Sequence, residues 1–121
     1  MMNPTVLIVD DALFMRKIMR GILEEKGYRV VAEAASGIET MRKLHDHRPD
    51  IIILDIILPD ANGLDLLKSI FSASPSSKVA ICSAIGQESV IQKALDLGAK
   101  AFILKPFTPE KVITALASLE G

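Results

Sequence analysis

The sequence holds one cysteine, Cys82, so no disulfide can form within the chain. Cys82 closes the apolar run Val79-Ala80-Ile81-Cys82, the setting of a reduced, buried thiol in a cytosolic protein and not of a catalytic nucleophile. An excess of positive charge is also missing. Lysine and arginine total 14 against 15 aspartates and glutamates, which leaves too little cationic charge to neutralise a phosphate backbone and argues against a direct nucleic-acid partner. No apolar stretch approaches the ~20 residues that span a bilayer, so no membrane insertion is expected. The start, Met1-Met2-Asn3-Pro4, lacks the basic and then hydrophobic order of an export signal, and the expected location is the cytoplasm. Internal repeats and low-complexity segments are absent. What remains is 121 residues, half of them hydrophobic, enough for one domain over 1–121 with a substantial core.

The most informative stretch is Ile51-Ile52-Ile53-Leu54, which ends abruptly in Asp55. A strand apolar on both faces belongs in the middle of a parallel sheet covered by helices. Val6-Leu7-Ile8-Val9 runs in the same way into Asp10-Asp11, and Ala101-Phe102-Ile103-Leu104 into Lys105. Ligands of open α/β sheets bind at the carboxyl ends of the strands, so these acids and the lysine converge on one edge.

Helical patterns separate the strands. Asp11 is placed to cap a first helix starting near Ala12, with Phe14, Ile18 and Ile22 at four-residue spacing and Met15 and Met19 alongside forming its apolar face. Gly27 stops it, and Tyr28 to Ala34 alternates as a strand near an edge would. Ile38 to His47 reads as the second helix, with Met41 and Leu44 inward. His45 and His47 cannot share a helix face, so they make a poor metal pair. A loop with Pro59, Asn62 and Gly63 leads to a helix from Leu64 to Ala73. Lys78 to Cys82 forms a fourth strand that delivers Ser83 to the same edge; Gln87 to Leu97 and the segment after Thr108-Pro109 supply the last helices. The order βαβαβαβαβα specifies an α/β fold with a parallel sheet and helices on both faces.

Asp10, Asp11 and Asp55 would repel one another strongly unless a cation joined them, and an all-oxygen site of this kind suits Mg²⁺. Lys105 adds a mobile positive charge and Ser83 a hydroxyl, a set able to hold the oxygens of a phosphoryl group, with Asp55 placed to act as nucleophile. The alternative, that the acids are only caps and turn residues, accounts for one aspartate better than for three beside Ser83 and Lys105. A dinucleotide or P-loop enzyme would need a glycine-rich first loop where this chain has Asp10-Asp11-Ala12-Leu13-Phe14.

Taken together, Val6-Leu7-Ile8-Val9-Asp10-Asp11, Asp55 followed by Leu58-Pro59 and Asn62-Gly63, Cys82-Ser83-Ala84, and Gly98-Ala99-Lys100-Ala101-Phe102 leading into Leu104-Lys105-Pro106-Phe107 resemble the receiver domain of two-component response regulators over essentially the whole chain. The resemblance implies a flavodoxin-like, doubly wound five-stranded sheet in the order 2-1-3-4-5 with five helices. It implies that Asp55 accepts a phosphoryl group from a CheA-like sensor histidine kinase. Asp10, Asp11, Asp55 and the backbone carbonyl of Ile57 would be the Mg²⁺ set, and Lys105 would pair with the phosphoryl oxygens. Ser83 and Phe102 would form the switch, and the Lys105-Pro106 bond would be cis. The family's effector surface is the fourth helix, fifth strand and fifth helix, where Lys93, Lys100 and Lys111 lie.

The segments Asp10-Asp11-Ala12-Leu13-Phe14-Met15-Arg16 and Cys82-Ser83-Ala84-Ile85-Gly86-Gln87 are most similar to stand-alone chemotaxis regulators, which have no output domain. Such a protein would be a monomer acting on the flagellar motor switch; a phosphorelay intermediate or the receiver half of a transcription factor is the alternative. Positions 57 and 85, which flank the acceptor and Ser83, are both isoleucine. With nothing polar there to orient a hydrolytic water, phosphate loss should be slow without a partner phosphatase. The second acid that a haloacid-dehalogenase-type phosphatase needs two residues after its nucleophile is likewise replaced by Ile57. Leu58 stands where the family more often has methionine, and Phe102 lacks the phenol of a tyrosine switch.

Overall fold

A computed structural model describes residues 3–84 and 86–120. Five parallel strands, β1 (Thr5–Val9), β2 (Arg29–Ala34), β3 (Ile51–Asp55), β4 (Lys78–Ala84) and β5 (Ala101–Lys105), form one sheet in the order β2-β1-β3-β4-β5. Between and after them run α1 (Leu13–Glu25), α2 (Gly37–His47), α3 (Gly63–Ala73), α4 (Glu88–Leu97) and α5 (Pro109–Glu120). The expected architecture and strand order are therefore present, with β2 at an edge.

The two-residue period of the strands divides the core in two. Leu7, Val9, Ile52, Leu54, Val79 and Ile81 face the side covered by α2, α3 and α4, against Leu44, Leu67, Ile70 and Ala94. Val6, Ile8, Ile51, Ile53, Ala80 and Cys82 face the other side, against Met19, Leu23, Val112 and Leu116 of α1 and α5. Every residue of β3 is buried, as its unbroken apolar run requires. β4 reaches two residues further than its apolar run, to Ala84, so Ser83 lies inside the strand and is buried.

The first helix departs from expectation twice. Asp11 does not cap it: α1 begins at Leu13, Ala12 is the cap residue without a side-chain bond, and it is Asp10 Oδ1 that accepts the Ala12 N–H at 2.9 Å. Nor is Phe14-Ile18-Ile22 the inward row. Phe14 is 72% and Ile18 39% exposed, while Met19 and Leu23 are buried. Two neighbouring rows of this helix are apolar, and the sheet takes Met19 and Leu23, with Ile22 partly buried against the same core, because Arg16 and Arg20 on the adjoining face reach across to β2. Arg16 Nε meets Glu33 Oε1 at 2.9 Å and Arg20 Nε meets Glu33 Oε2 at 2.6 Å. Burial works against the Glu33 charge, yet the two guanidiniums hold its carboxyl below the usual range. Phe14→Ser is expected to change stability by no more than about 0.5 kcal/mol, as at an ordinary surface position. A urea melt losing several times that would put Phe14 back in the core.

The other turns follow the reading more closely. Gly27 takes a φ of +91° after α1. Ser36 caps α2 by accepting the Glu39 N–H at 3.2 Å, and Glu39 returns a bond to the Ala35 N–H, also at 3.2 Å. His45 and His47 are exposed on the last turn. The Lys105-Pro106 peptide is cis, as the resemblance implied. Among the described residues no helix is long and apolar enough to cross a membrane.

Candidate functional site at the carboxyl edge of the sheet

Of the adjacent strands β1 and β3, the first runs out into Asp10 and the second ends in Asp55, and β5, two strands beyond β3 with β4 between, ends in Lys105. The register sets Asp55 beside Cys82 and Ala84 beside Lys105, so the long lysine side chain spans β4 to reach the acids. Lys105 Nζ donates to Asp10 Oδ2 at 2.8 Å and to Asp55 Oδ2 at 3.0 Å. The remaining oxygen of each carboxylate is held by the backbone of the loop that follows it: Asp10 Oδ1 by Ala12 N–H, and Asp55 Oδ1 by Ile57 N–H at 3.0 Å. Asp11 is exposed at the mouth. One carboxylate oxygen from each of Asp10, Asp11 and Asp55 lies within 4.8 Å of the others.

The electrostatics of this cluster are unbalanced, since two nearly buried carboxylates and a third at the rim share one ammonium. Burial is the main reason that the Asp55 carboxyl is pushed above its ordinary value. The Ile57 N–H and Lys105 act in the opposite sense, and the charge of Asp10 adds to the rise. Lys105 is itself held firmly protonated. Its burial opposes the charge, but the hydrogen bonds to Asp10 and Asp55 more than compensate. Hard oxygen donors with surplus negative charge suit a small divalent cation, so the acid cluster fits Mg²⁺ by the chemistry of its donors.

Cys82, on the opposite side of β4 from Ser83, is no part of this chemistry. Burial drives its thiol up to about 12, so it stays protonated at neutral pH.

Of the residues singled out in the sequence, Asp10, Asp11, Asp55 and Lys105 are brought together. Ser83 lies near but is turned to another partner: its hydroxyl donates to Gln87 Oε1, which also accepts the Ala84 N–H at 3.1 Å. Nothing in the sequence gives Gln87 a role at the site, because a polar residue just before a helix carries no signal of its own; only its spacing of four from Ser83 points to the contact. The bond from Arg16 Nη1 to the Asp10 carbonyl at 2.7 Å likewise has no signal in the sequence. Ile57 is 57% exposed in the loop after Asp55, Phe102 is 47% exposed on the edge strand β5, and Leu58 is buried. Ile85 lies outside the described residues.

The receiver-domain model of response regulators matches residues 6–117. The chain belongs to the response regulator receiver domain family. This receiver is 44% identical over 115 residues to the chemotaxis protein CheY of Thermotoga maritima, covering 95% of this chain and 96% of that protein. It is 45% identical over 111 residues to the Listeria monocytogenes CheY, covering 92% and 93%. Among solved structures, the complex of CheX, CheY, BeF3 and Mg from Borrelia burgdorferi superposes with a TM-score of 0.93 at 34% identity, over 99% of this chain and 91% of that one. The receiver is thus a two-component signalling protein closely matching chemotaxis regulators of the CheY type.

Proposed function

We propose that this chain, as one receiver domain over 1–121, is a chemotaxis response regulator that takes a phosphoryl group onto Asp55 from a CheA-like sensor histidine kinase. The observation that carries the reading is Asp55 itself. It is a nearly buried carboxylate at the end of the central strand, with one oxygen on the Ile57 N–H and the other on Lys105.

In the transfer, an Asp55 carboxylate oxygen forms the new bond to phosphorus while the bond from phosphorus to the donor imidazole nitrogen breaks. The imidazole leaves with that electron pair and takes a proton, and Asp55 becomes an acyl phosphate. Asp10, Asp11, Asp55 and the Ile57 carbonyl would hold Mg²⁺, which when bound supplies positive charge for the phosphoryl oxygens. Lys105 exchanges its contact with Asp55 Oδ2 for a phosphoryl oxygen, remaining protonated throughout. Ser83 leaves Gln87 to donate to the phosphoryl group, and Phe102 turns inward from its exposed position, which biases the population toward a second packing.

The readout belongs to the face of α4, β5 and α5, where Lys93, Lys100 and Lys111 are exposed. The flagellar motor switch is the effector in this reading. Ile57 and Ile85 offer no polar group to a hydrolytic water, so a partner phosphatase resets the signal; that the Borrelia relative was solved in complex with a second protein, CheX, supports a protein partner for this surface.

The test is intact mass after incubation with acetyl phosphate. The parent is expected to gain one phosphoryl group in a Mg²⁺-dependent way, and Asp55→Asn to gain none. No gain in the parent, or an equal gain in the variant, would refute the assignment.

A further inference from the structure

The loop from Ile56 to Asn62 carries the groups that surround Asp55, and the way it is held was not visible in the sequence. At its far end Asn62 Oδ1 caps α3, accepting the Leu64 N–H at 3.0 Å and the Asp65 N–H at 3.2 Å. Ile57 and Asn62 form an isolated antiparallel bridge, which closes the loop into a small ring. The outermost part of that ring is fastened to a different element. Asp60 Oδ1 accepts the Gly37 N–H at 2.7 Å and Oδ2 accepts the Ile38 N–H at 3.2 Å.

These are the first two N–H groups of α2, and the helix has no partners of its own for them. Its cap, Ser36, serves Glu39 through the hydroxyl and Thr40 through the carbonyl. A carboxylate taking both remaining donors also meets the positive end of the helix dipole. The Gly37 N–H is the chief reason that the Asp60 carboxyl is held below the usual range. The approach is close as well: a Cβ on Gly37 would lie 2.7 Å from Ala61 Cβ. Because the ring is closed at Ile57 and Asn62, a displacement at Asp60 passes to Ile57, whose N–H is bonded to Asp55.

We propose that Asp60 is a positioning residue for the phospho-acceptor site. By gripping the first turn of α2, it holds the loop so that Ile57 keeps its N–H on Asp55 and its carbonyl available to Mg²⁺. The second half of this statement rests on the metal set proposed above; the first half does not.

Asp60→Ala and Ser36→Ala separate positioning from mere support of α2. Both remove partners from the same helix N-terminus, but only Asp60 touches the loop. Two readouts apply: amide exchange at Ile57 in the metal-free protein, and Mg²⁺ affinity by titration calorimetry. Asp60→Ala is expected to speed Ile57 exchange several-fold and to weaken Mg²⁺ binding by about tenfold, the size of effect seen when a partner that orients a metal ligand is removed. Asp60→Asn, which keeps one acceptor oxygen, should fall between. Ser36→Ala, at similar cost to the melting temperature, should leave both readouts at parent values. Parent-like exchange in Asp60→Ala, or equal changes in both alanine variants, would overturn the proposal. If the parent itself binds no Mg²⁺, the metal reading fails, and Ile57 exchange alone then decides the role of Asp60.

Discussion

Replacing Lys105 with alanine should cost the metal-free protein about 3 kcal/mol at neutral pH, near the lower end for breaking a buried ion pair because the lysine side chain keeps 22% exposure. The loss comes less from the attraction itself than from what stays behind. Asp10 and Asp55 are nearly buried, and the sole cation in contact with both of them among the described residues is Lys105.

The pH dependence follows from the Asp55 carboxyl, which burial already lifts above its unfolded value. Between the ordinary and the raised value the folded state binds the proton more readily than the unfolded one. Stability from this group therefore falls as pH rises through that window, and an ionised Asp55 is a net cost above it. Removing Lys105 lifts Asp55 further and steepens the slope. The gap between Lys105→Ala and the parent should thus shrink as pH falls through the carboxylate range, and should also narrow when Mg²⁺ is added. Urea melts at pH 7 and pH 4, with EDTA and with Mg²⁺, measure all of this. A variant as stable as the parent at pH 7 in EDTA, or a gap that does not shrink on acidification, would contradict the charge imbalance described here.

Gly63→Ala should be at least as damaging, at about 3 kcal/mol or more. A Cβ at Gly63 would lie 2.1 Å from the Ile56 carbonyl oxygen and 2.6 Å from Ile56 Cγ1, contacts that no rotamer relieves because backbone is involved. Ile56 cannot yield. It is buried in the core and follows directly on β3, which is paired on both sides. The start of α3 would have to move instead, which opens the ring at Ile57 and Asn62 and disturbs Asp55. Stability and phosphoryl uptake should therefore fall together. Gly21→Ala serves as the control: nothing lies within 4 Å of that position in α1, and alanine there should stabilise by up to about 1 kcal/mol. Equal melting temperatures for Gly63→Ala and the parent would show that the loop does not pack as closely as described.

Much of this protein was written in local pattern. Two-faced apolar runs ending in Asp10, Asp55 and Lys105 made the parallel sheet, its central strand and its functional edge legible, because the strand period assigns both faces at once and a charge cannot follow into the core. The break at Gly27 and the Asn62-Gly63 turn were readable for the same reason, since their backbone chemistry is local.

Other features needed the assembled fold. Two neighbouring rows of α1 are apolar, and only the reach of Arg16 and Arg20 to Glu33, more than a helix turn away along the chain, decides which row turns inward. Asp11 had the residue type and position of a cap, but the helix begins at Leu13 with Ala12 as its cap residue, and the Ala12 N–H goes to Asp10. The grip of Asp60 on α2, the turn of Ser83 toward Gln87 and the placement of Lys105 between two carboxylates join residues 4 to 95 positions apart. The sequence by itself determined which chemical groups arrive at the edge of the sheet, because strand and helix periods are properties of neighbouring residues. Which group then takes which partner is settled only by tertiary structure, since each donor chooses among acceptors that packing alone brings within reach.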